Sequence, residues 1–146
     1  MVKDFLKKYH FRPSKRLGQN FLIDKRVIKK IIKAANLSKN DTVLEIGPGL
    51  GNLTLELAKK AKRIIAVEKD KRMAEIIRNV IKAENVRNVE IIQGDILKVR
   101  NSKLKIKNYK VVANLPYYIT SPVIRKFLEA KNPPQEMVLM VQKEVA

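Results

Sequence analysis

The feature that most constrains the fold is an alternation, in which short apolar runs give way repeatedly to segments of helical periodicity. Residues 42–46, 63–67, 89–92, 111–113 and 137–141 are runs of strand length and nearly continuous apolar character, as strands covered on both faces require. Between them, apolar residues recur every three or four positions. Val27, Ile28, Ile31, Ile32 and Ala35 share one helical face opposite Lys29, Lys30 and Lys33, and Asp24 stands where an N-cap belongs. Leu53, Leu57 and Ala61 form a second stripe. Met73, Ile76, Ile77, Val80 and Ile81 form a third behind Asp70, a cap candidate. Ile124, Phe127 and Leu128 form a fourth behind Ser121 and Pro122, which read as an N-cap and a first-turn proline. Strands alternating with helices predict an α/β fold with a doubly wound, mainly parallel sheet. Residues 98–110 read as a loop insertion, and no internal repeat or low-complexity tract is visible.

A chain of 146 residues, 45% of them hydrophobic, suffices for one core and gives no ground for two domains. Its expected parts are a basic arm with the first helix over 1–40 and a sheet core over 41–146.

In an open parallel sheet, ligands sit at the carboxyl ends of the strands, so the residues closing each strand carry the chemistry. Strand one runs into Glu45, Ile46, Gly47, Pro48, Gly49, Leu50, Gly51 and Asn52. A dinucleotide fingerprint would place glycines at 47, 49 and 52, but 52 is Asn, and a phosphate-binding P-loop would end in Gly-Lys-Ser/Thr. The spacing instead resembles the methyltransferase loop that wraps the amino-acid part of S-adenosylmethionine. Glu68 ends strand two, where a carboxylate can accept both ribose hydroxyl protons of a nucleoside. Gly94 and Asp95 end strand three, where Asp95 can accept from an adenine amine. Taken singly, each has a plain alternative: a tight turn, a solvated acid or a cap.

Asn114, Leu115, Pro116 and Tyr117 end strand four, followed by Tyr118. The amine of adenine is a poor nucleophile because its lone pair is delocalised into the ring. Two fixed acceptors, the Asn114 side-chain oxygen and a main-chain carbonyl of the proline-stiffened turn, would hold both amine hydrogens and favour a tetrahedral nitrogen. Tyr117 would offer a flat face to an extruded base, worth roughly 1–3 kcal/mol. Read without the upstream motifs, the same four residues are a turn with an aromatic plug.

Charge points to a partner. With 32 Lys and Arg against 14 Asp and Glu, the chain carries a formal +18. Residues 1–40 hold 12 basic and 2 acidic side chains. Lys7, Lys8, Arg12, Lys15 and Arg16 are candidate contacts to RNA phosphates. Lys98, Arg100, Lys103, Lys105, Lys107 and Lys110 form a second basic cluster without an acid among them. A lysine-rich, heat-adapted surface is the alternative reading. The absence of Cys excludes disulfides, thiolate metal sites and cysteine nucleophiles. Neither a secretory signal nor an apolar run near the roughly 18 residues of a membrane span is present. The expectation is a soluble, cytoplasmic, monomeric protein without metal. His10, the sole histidine, reads as part of the basic arm.

Gly18, Gln19, Asn20, Phe21 and Leu22, then Glu45 through Thr54, Glu68, Gly94, Asp95, Asn114 through Tyr117, and Val141 through Glu144 together resemble the ribosomal RNA adenine dimethyltransferase family, in order and over nearly the whole chain. The resemblance implies a Rossmann-like S-adenosylmethionine-dependent methyltransferase fold. It also implies dimethylation of adjacent adenosines near the 3′ end of small-subunit ribosomal RNA in a pre-ribosomal particle, with two cofactor molecules per adenine. By the family pattern Asn20 and Leu22 join Gly47, Gly49, Glu68, Asp95 and Asn114 at the cofactor, and Asn114, Leu115, Pro116 and Tyr117 form the catalytic set. The macrolide-resistance methyltransferases of large-subunit RNA share most of these residues but more often carry Ile where Leu115 stands. The family fold continues past strand five with two further strands and a small helical domain, so a chain ending at Ala146 is expected to lack them. Two other classes remain open: a non-catalytic RNA-binding assembly module on the same scaffold, and a nicotinamide dehydrogenase, which Asn52 disfavours.

Overall fold

A computed structural model describes Lys7, Lys8 and residues 24–141. Among these residues five parallel strands form one sheet: β1 (Thr42–Ile46), β2 (Arg63–Glu68), β3 (Val89–Gln93), β4 (Tyr109–Asn114) and β5 (Glu136–Met140), in the order β3-β2-β1-β4-β5. The helices are α1 (Lys25–Ala35), α2 (Asn52–Lys60), α3 (Lys71–Ala83), α4 (Asn101–Leu104) and α5 (Thr120–Leu128), with a 3₁₀ turn over Tyr117–Ile119. The chain winds outward from β1 to β3, then returns to place β4 on the other side of β1. The strand order therefore reverses between β1 and β4, which is where a doubly wound sheet opens a crevice.

Alternate residues of each strand feed two cores, as a period of two demands. Leu44, Ile46, Ile65, Val67, Val111 and Ala113 pack with Val123 and Phe127 of α5 on one face. Val43, Ile64 and Val112 pack with Ile28 and Ile31 of α1 and with Leu53 and Leu57 of α2 on the other. Two caps act as the sequence predicts. The Asp24 carboxylate accepts from the Arg26 N–H at 2.8 Å, and Asp70 accepts from the Met73 N–H at 3.0 Å.

Three expectations are corrected. The supposed loop over 98–110 contains α4 and the start of β4. Leu104, Ile106 and Tyr109 anchor it in the core behind a lysine-rich exterior, and the Tyr109 hydroxyl donates to the Asn132 carbonyl at 2.9 Å. Ser121 is not the cap of α5: the 3₁₀ turn runs straight into the helix at Thr120, whose hydroxyl donates to the Pro116 carbonyl at 3.1 Å. Pro122 accordingly lies within the first turn, two residues after the helix begins. Lys110 does not belong to the exposed basic cluster. Its ammonium lies 3.4 Å from Asp41 and 3.3 Å from Glu136, and it also donates to the Ala35 and Asn36 carbonyls, tying α1, β1 and β5 together at the amino edge of the sheet.

Candidate cofactor cleft and base-holding turn

The register of the sheet brings the strand exits together. Ile46 lies beside Val67 and Ala113, and Glu68 lies beside Gln93. The next residues, Gly47, Gly94 and Asn114, therefore surround one crevice. Glu45, Gly47, Gly49, Glu68, Asp95 and Asn114 all line it.

The glycine loop is shaped by backbone conformations that a side chain would resist. Gly47, Gly49 and Gly51 have φ of 69°, 57° and 87°. Gly51 is also the N-cap of α2, and a Cβ there would come within 3.3 Å of the Ile77 side chain, which explains glycine at 51. A Cβ on Gly47 would meet nothing within 4 Å, so this stretch of backbone faces open space that a ligand could enter.

Glu68 braces that loop. One carboxylate oxygen accepts from the Gly49 N–H at 3.3 Å and the other from the Asp70 N–H at 3.0 Å. Burial pushes its carboxyl up, while these backbone N–H groups oppose the shift. A carboxylate offers about four lone-pair sites, so capacity remains for two ligand hydroxyls.

Beyond β3, Asp95 accepts from the Leu97 N–H at 3.0 Å and its other oxygen lies 3.7 Å from the Lys69 ammonium. Ile96 and Leu97 continue the cleft wall. Lys126 of α5 fastens this segment from behind, donating to the Ile96 and Val99 carbonyls. Desolvation lowers its pKa, against the pull of Asp95.

At β4 the turn is sharply held. The Leu115 N–H donates to the Met140 carbonyl at 3.1 Å, and the Leu115 side chain is buried. The Pro116 carbonyl accepts from the Ile119 N–H and the Thr120 hydroxyl. Within the turn that leaves the Leu115 carbonyl as the main-chain acceptor beside Asn114. Pro116, Tyr118 and Ile119 line the cleft. Tyr117 stands outside it, 60% exposed, with its ring edge-on to Tyr118 at 5.7 Å between centroids. Lys7 and Lys8 are exposed. Arg12, Lys15, Arg16, Asn20 and Leu22 lie outside the described residues.

Sequence patterning gave no role to Glu45, which lies under the glycine loop, 1% exposed. The Thr54 hydroxyl donates to it at 2.6 Å. Burial, with a smaller push from Glu68, raises its carboxyl from 4.5 to about 8 against the effect of the Thr54 bond. The signal available was an acid at an inward strand position, nine residues before a threonine on the following helix. Between pH 4.5 and 8 the folded protein holds a proton that the unfolded chain releases, so stability is full below the lower value and falls as pH rises toward the upper one. Thermal melts should thus show a decline on the order of 2–4 kcal/mol over that window, and Glu45→Gln should remove most of it. An unchanged slope in the variant would assign the decline to other groups.

The five-stranded order, the reversal at β1/β4 and the strand-end groups define a Rossmann-like fold of the S-adenosylmethionine-dependent methyltransferase class. Solved structures agree. A dimethyladenosine transferase from Plasmodium falciparum superposes with a TM-score of 0.76 at 36% identity, over 86% of this chain and 44% of that one. The 23S rRNA methyltransferase ErmE does so with a TM-score of 0.73 at 34% identity, over 86% and 49%. The profile of the family "Ribosomal RNA adenine dimethylase" matches residues 10–146, and the chain belongs to that family. Its curated relatives include "Ribosomal RNA small subunit methyltransferase A" of Alkaliphilus oremlandii, 46% identical over 99% of this chain and 52% of the relative. The protein of the same name from Dehalococcoides mccartyi strain 195 is 51% identical over 99% and 50%. The chain thus spans about half the length of the curated relatives it matches.

Proposed function

We propose that this chain is the cofactor-binding and catalytic part of an enzyme that transfers methyl groups from S-adenosylmethionine to N6 of two adjacent adenosines near the 3′ end of small-subunit ribosomal RNA. The observation that carries the reading is the convergence of Gly47, Glu68, Asp95 and Asn114 on one crevice whose far wall is the Asn114–Ile119 turn. The groups present suit the cofactor. Open backbone at Gly47 admits its amino-acid part, Glu68 retains acceptor capacity for the ribose hydroxyls, and Asp95 with Leu97 faces the adenine. When bound, the cofactor supplies a methyl group already activated by its sulfonium.

The chain's own work is then orientation. The Asn114 side-chain oxygen and the Leu115 carbonyl accept the two amine hydrogens of the target adenine and direct the nitrogen lone pair toward the cofactor. Tyr117 stacks on the extruded base from the rim. No strong general base is required, because a proton is readily lost from the nitrogen once it has been methylated. The arm residues Lys7, Lys8, Arg12, Lys15 and Arg16 hold RNA phosphates, and by the family pattern Asn20 and Leu22 contribute to the cofactor site.

Small-subunit RNA is favoured over large-subunit RNA because curated relatives at 46% and 51% identity are named for the small subunit, while among solved structures the dimethyladenosine transferase and ErmE stand close together at 36% and 34%. Work on ribosomal RNA implies a cytoplasmic setting, and no helix among the described residues is long and apolar enough to cross a membrane. Titration calorimetry should show binding of S-adenosylmethionine and none of NAD. Binding of NAD alone would return the cleft to the dehydrogenase class.

A further inference from the structure

The segment between Asp95 and Glu129 is 33 residues long and contains no acid, yet it carries eight Lys and Arg. The structure sorts these cations. Lys110 and Lys126 turn inward, onto carboxylates and carbonyls. Arg125 lies 4.0 Å from Glu129. The remaining five, Lys98, Arg100, Lys103, Lys105 and Lys107, are exposed and have no acidic partner among the described residues. Elsewhere exposed cations do find acids: Arg26 with Asp24, Lys59 with Glu56 and Arg63 with Glu90. Others, such as Lys29, Lys30 and Lys33 of α1, do not among the described residues, but residues 96–128 form the longest acid-free run in the sequence.

The row is also mounted on fixed backbone. Leu104, Ile106 and Tyr109 are buried in the core shared with α5, the Asn132 side-chain amide donates to the Ile106 carbonyl at 2.8 Å, and Lys126 holds the Val99 carbonyl. Cations on anchored backbone lose less conformational freedom on meeting a ligand than cations on a free tail. The row begins at the cleft, since Leu97 lines it and Lys98 follows.

We propose that the ridge formed by Lys98, Arg100, Lys103, Lys105 and Lys107 is a second nucleic-acid track, which holds the phosphate backbone of RNA flanking the target nucleotide as it leaves the Asn114–Tyr117 turn. Closely spaced lysines and an arginine without acidic partners among the described residues fit a polyanion with repeating phosphates better than an acidic protein patch, because Leu97 is the one exposed large apolar side chain within the row and is too little to form an interface centre. The track is built from residues other than those of the basic N-terminal arm. It rests on the proposed RNA substrate, and the two can fail separately.

The test measures binding of a transcript of the 3′ end of small-subunit ribosomal RNA against salt concentration. The ridge variant carries Lys98→Gln, Arg100→Gln, Lys103→Gln, Lys105→Gln and Lys107→Gln. A control removes the same charge at the amino edge of the sheet, with Lys39→Gln, Lys60→Gln, Lys62→Gln, Lys82→Gln and Arg87→Gln. The ridge variant should bind at least tenfold more weakly at moderate salt and lose roughly 0.7–0.9 of log-log salt slope per contact, about 3.5 to 4.5 in all. The control should lose far less, and affinity for S-adenosylmethionine should be the same in both. Partial ridge variants should lose slope in proportion to the charges removed, which separates a track from a folding defect. An unaltered slope in the ridge variant, or an equal loss in the control, overturns the track. Failure of the parent protein to methylate the transcript would overturn the proposed function while leaving the salt slope to decide the ridge.

Discussion

Replacing Asn114 by alanine is expected to lower methyl transfer by about 10²–10³-fold while leaving RNA affinity within a fewfold of the parent. The asymmetry follows from position. Asn114 is the last residue of β4, held beside Met140 of β5 in register, and it lines the cleft where the strand order reverses. An acceptor on the amine acts mainly when the nitrogen changes geometry, so its loss falls on turnover. In the proposed function RNA affinity comes from phosphate contacts elsewhere. Tyr117 provides the companion result. Its ring is exposed at the rim, so Tyr117→Phe should keep most activity and Tyr117→Ala should lose most of it. Phe as damaging as Ala would mean that the hydroxyl, rather than the ring, does the work.

The second large effect belongs to Glu68. Glu68→Ala should weaken S-adenosylmethionine binding by roughly 1.5–3 kcal/mol, which is about 10- to 150-fold. Two losses contribute. The ligand loses a charged acceptor for its hydroxyls, and the glycine loop loses the carboxylate that holds the Gly49 and Asp70 N–H groups at 3.3 and 3.0 Å. Glu68→Gln retains one acceptor oxygen and should fall between parent and alanine. Calorimetry showing parental affinity in Glu68→Ala would remove this residue from the cofactor site.

Much of this architecture is legible in the residues because the parallel sheet writes itself plainly. β1 occupies 42–46 as the apolar run predicts, and β2, β3 and β5 differ by one residue at their ends. Strands covered on both faces are largely apolar, and glycine or a polar residue marks where most of them leave the sheet. Asp24 and Asp70 are legible for a similar reason, since a cap acts on N–H groups two or three residues away. What is not legible depends on contacts distant in sequence. Lys110 reads as one more exposed lysine because Asp41 and Glu136, its partners, come from other strands' approaches. α4 is too short to show periodicity, and its buried Leu104 is a single apolar residue among lysines. The start of α5 misleads because Ser-Pro imitates a cap, while the 3₁₀ turn over Tyr117–Ile119 already supplies the entry. Glu45 looks like an ordinary motif acid until the sheet buries it against Thr54. In the candidate site, the strand-end groups are foreseeable one by one. Which carbonyl of the Asn114–Pro116 turn stays available is not, since it depends on the hydroxyl of Thr120 reaching back to Pro116.

The most direct measurement of the central claim is chemical identification of the product. Small-subunit RNA incubated with the protein and methyl-labelled S-adenosylmethionine would be digested to nucleosides and mapped by mass spectrometry. The account predicts label in N6,N6-dimethyladenosine at two adjacent positions near the 3′ end, and its loss in Asn114→Ala. Label on ribose, on another base or on large-subunit RNA alone would contradict it, as would bound cofactor with no transfer to RNA at all.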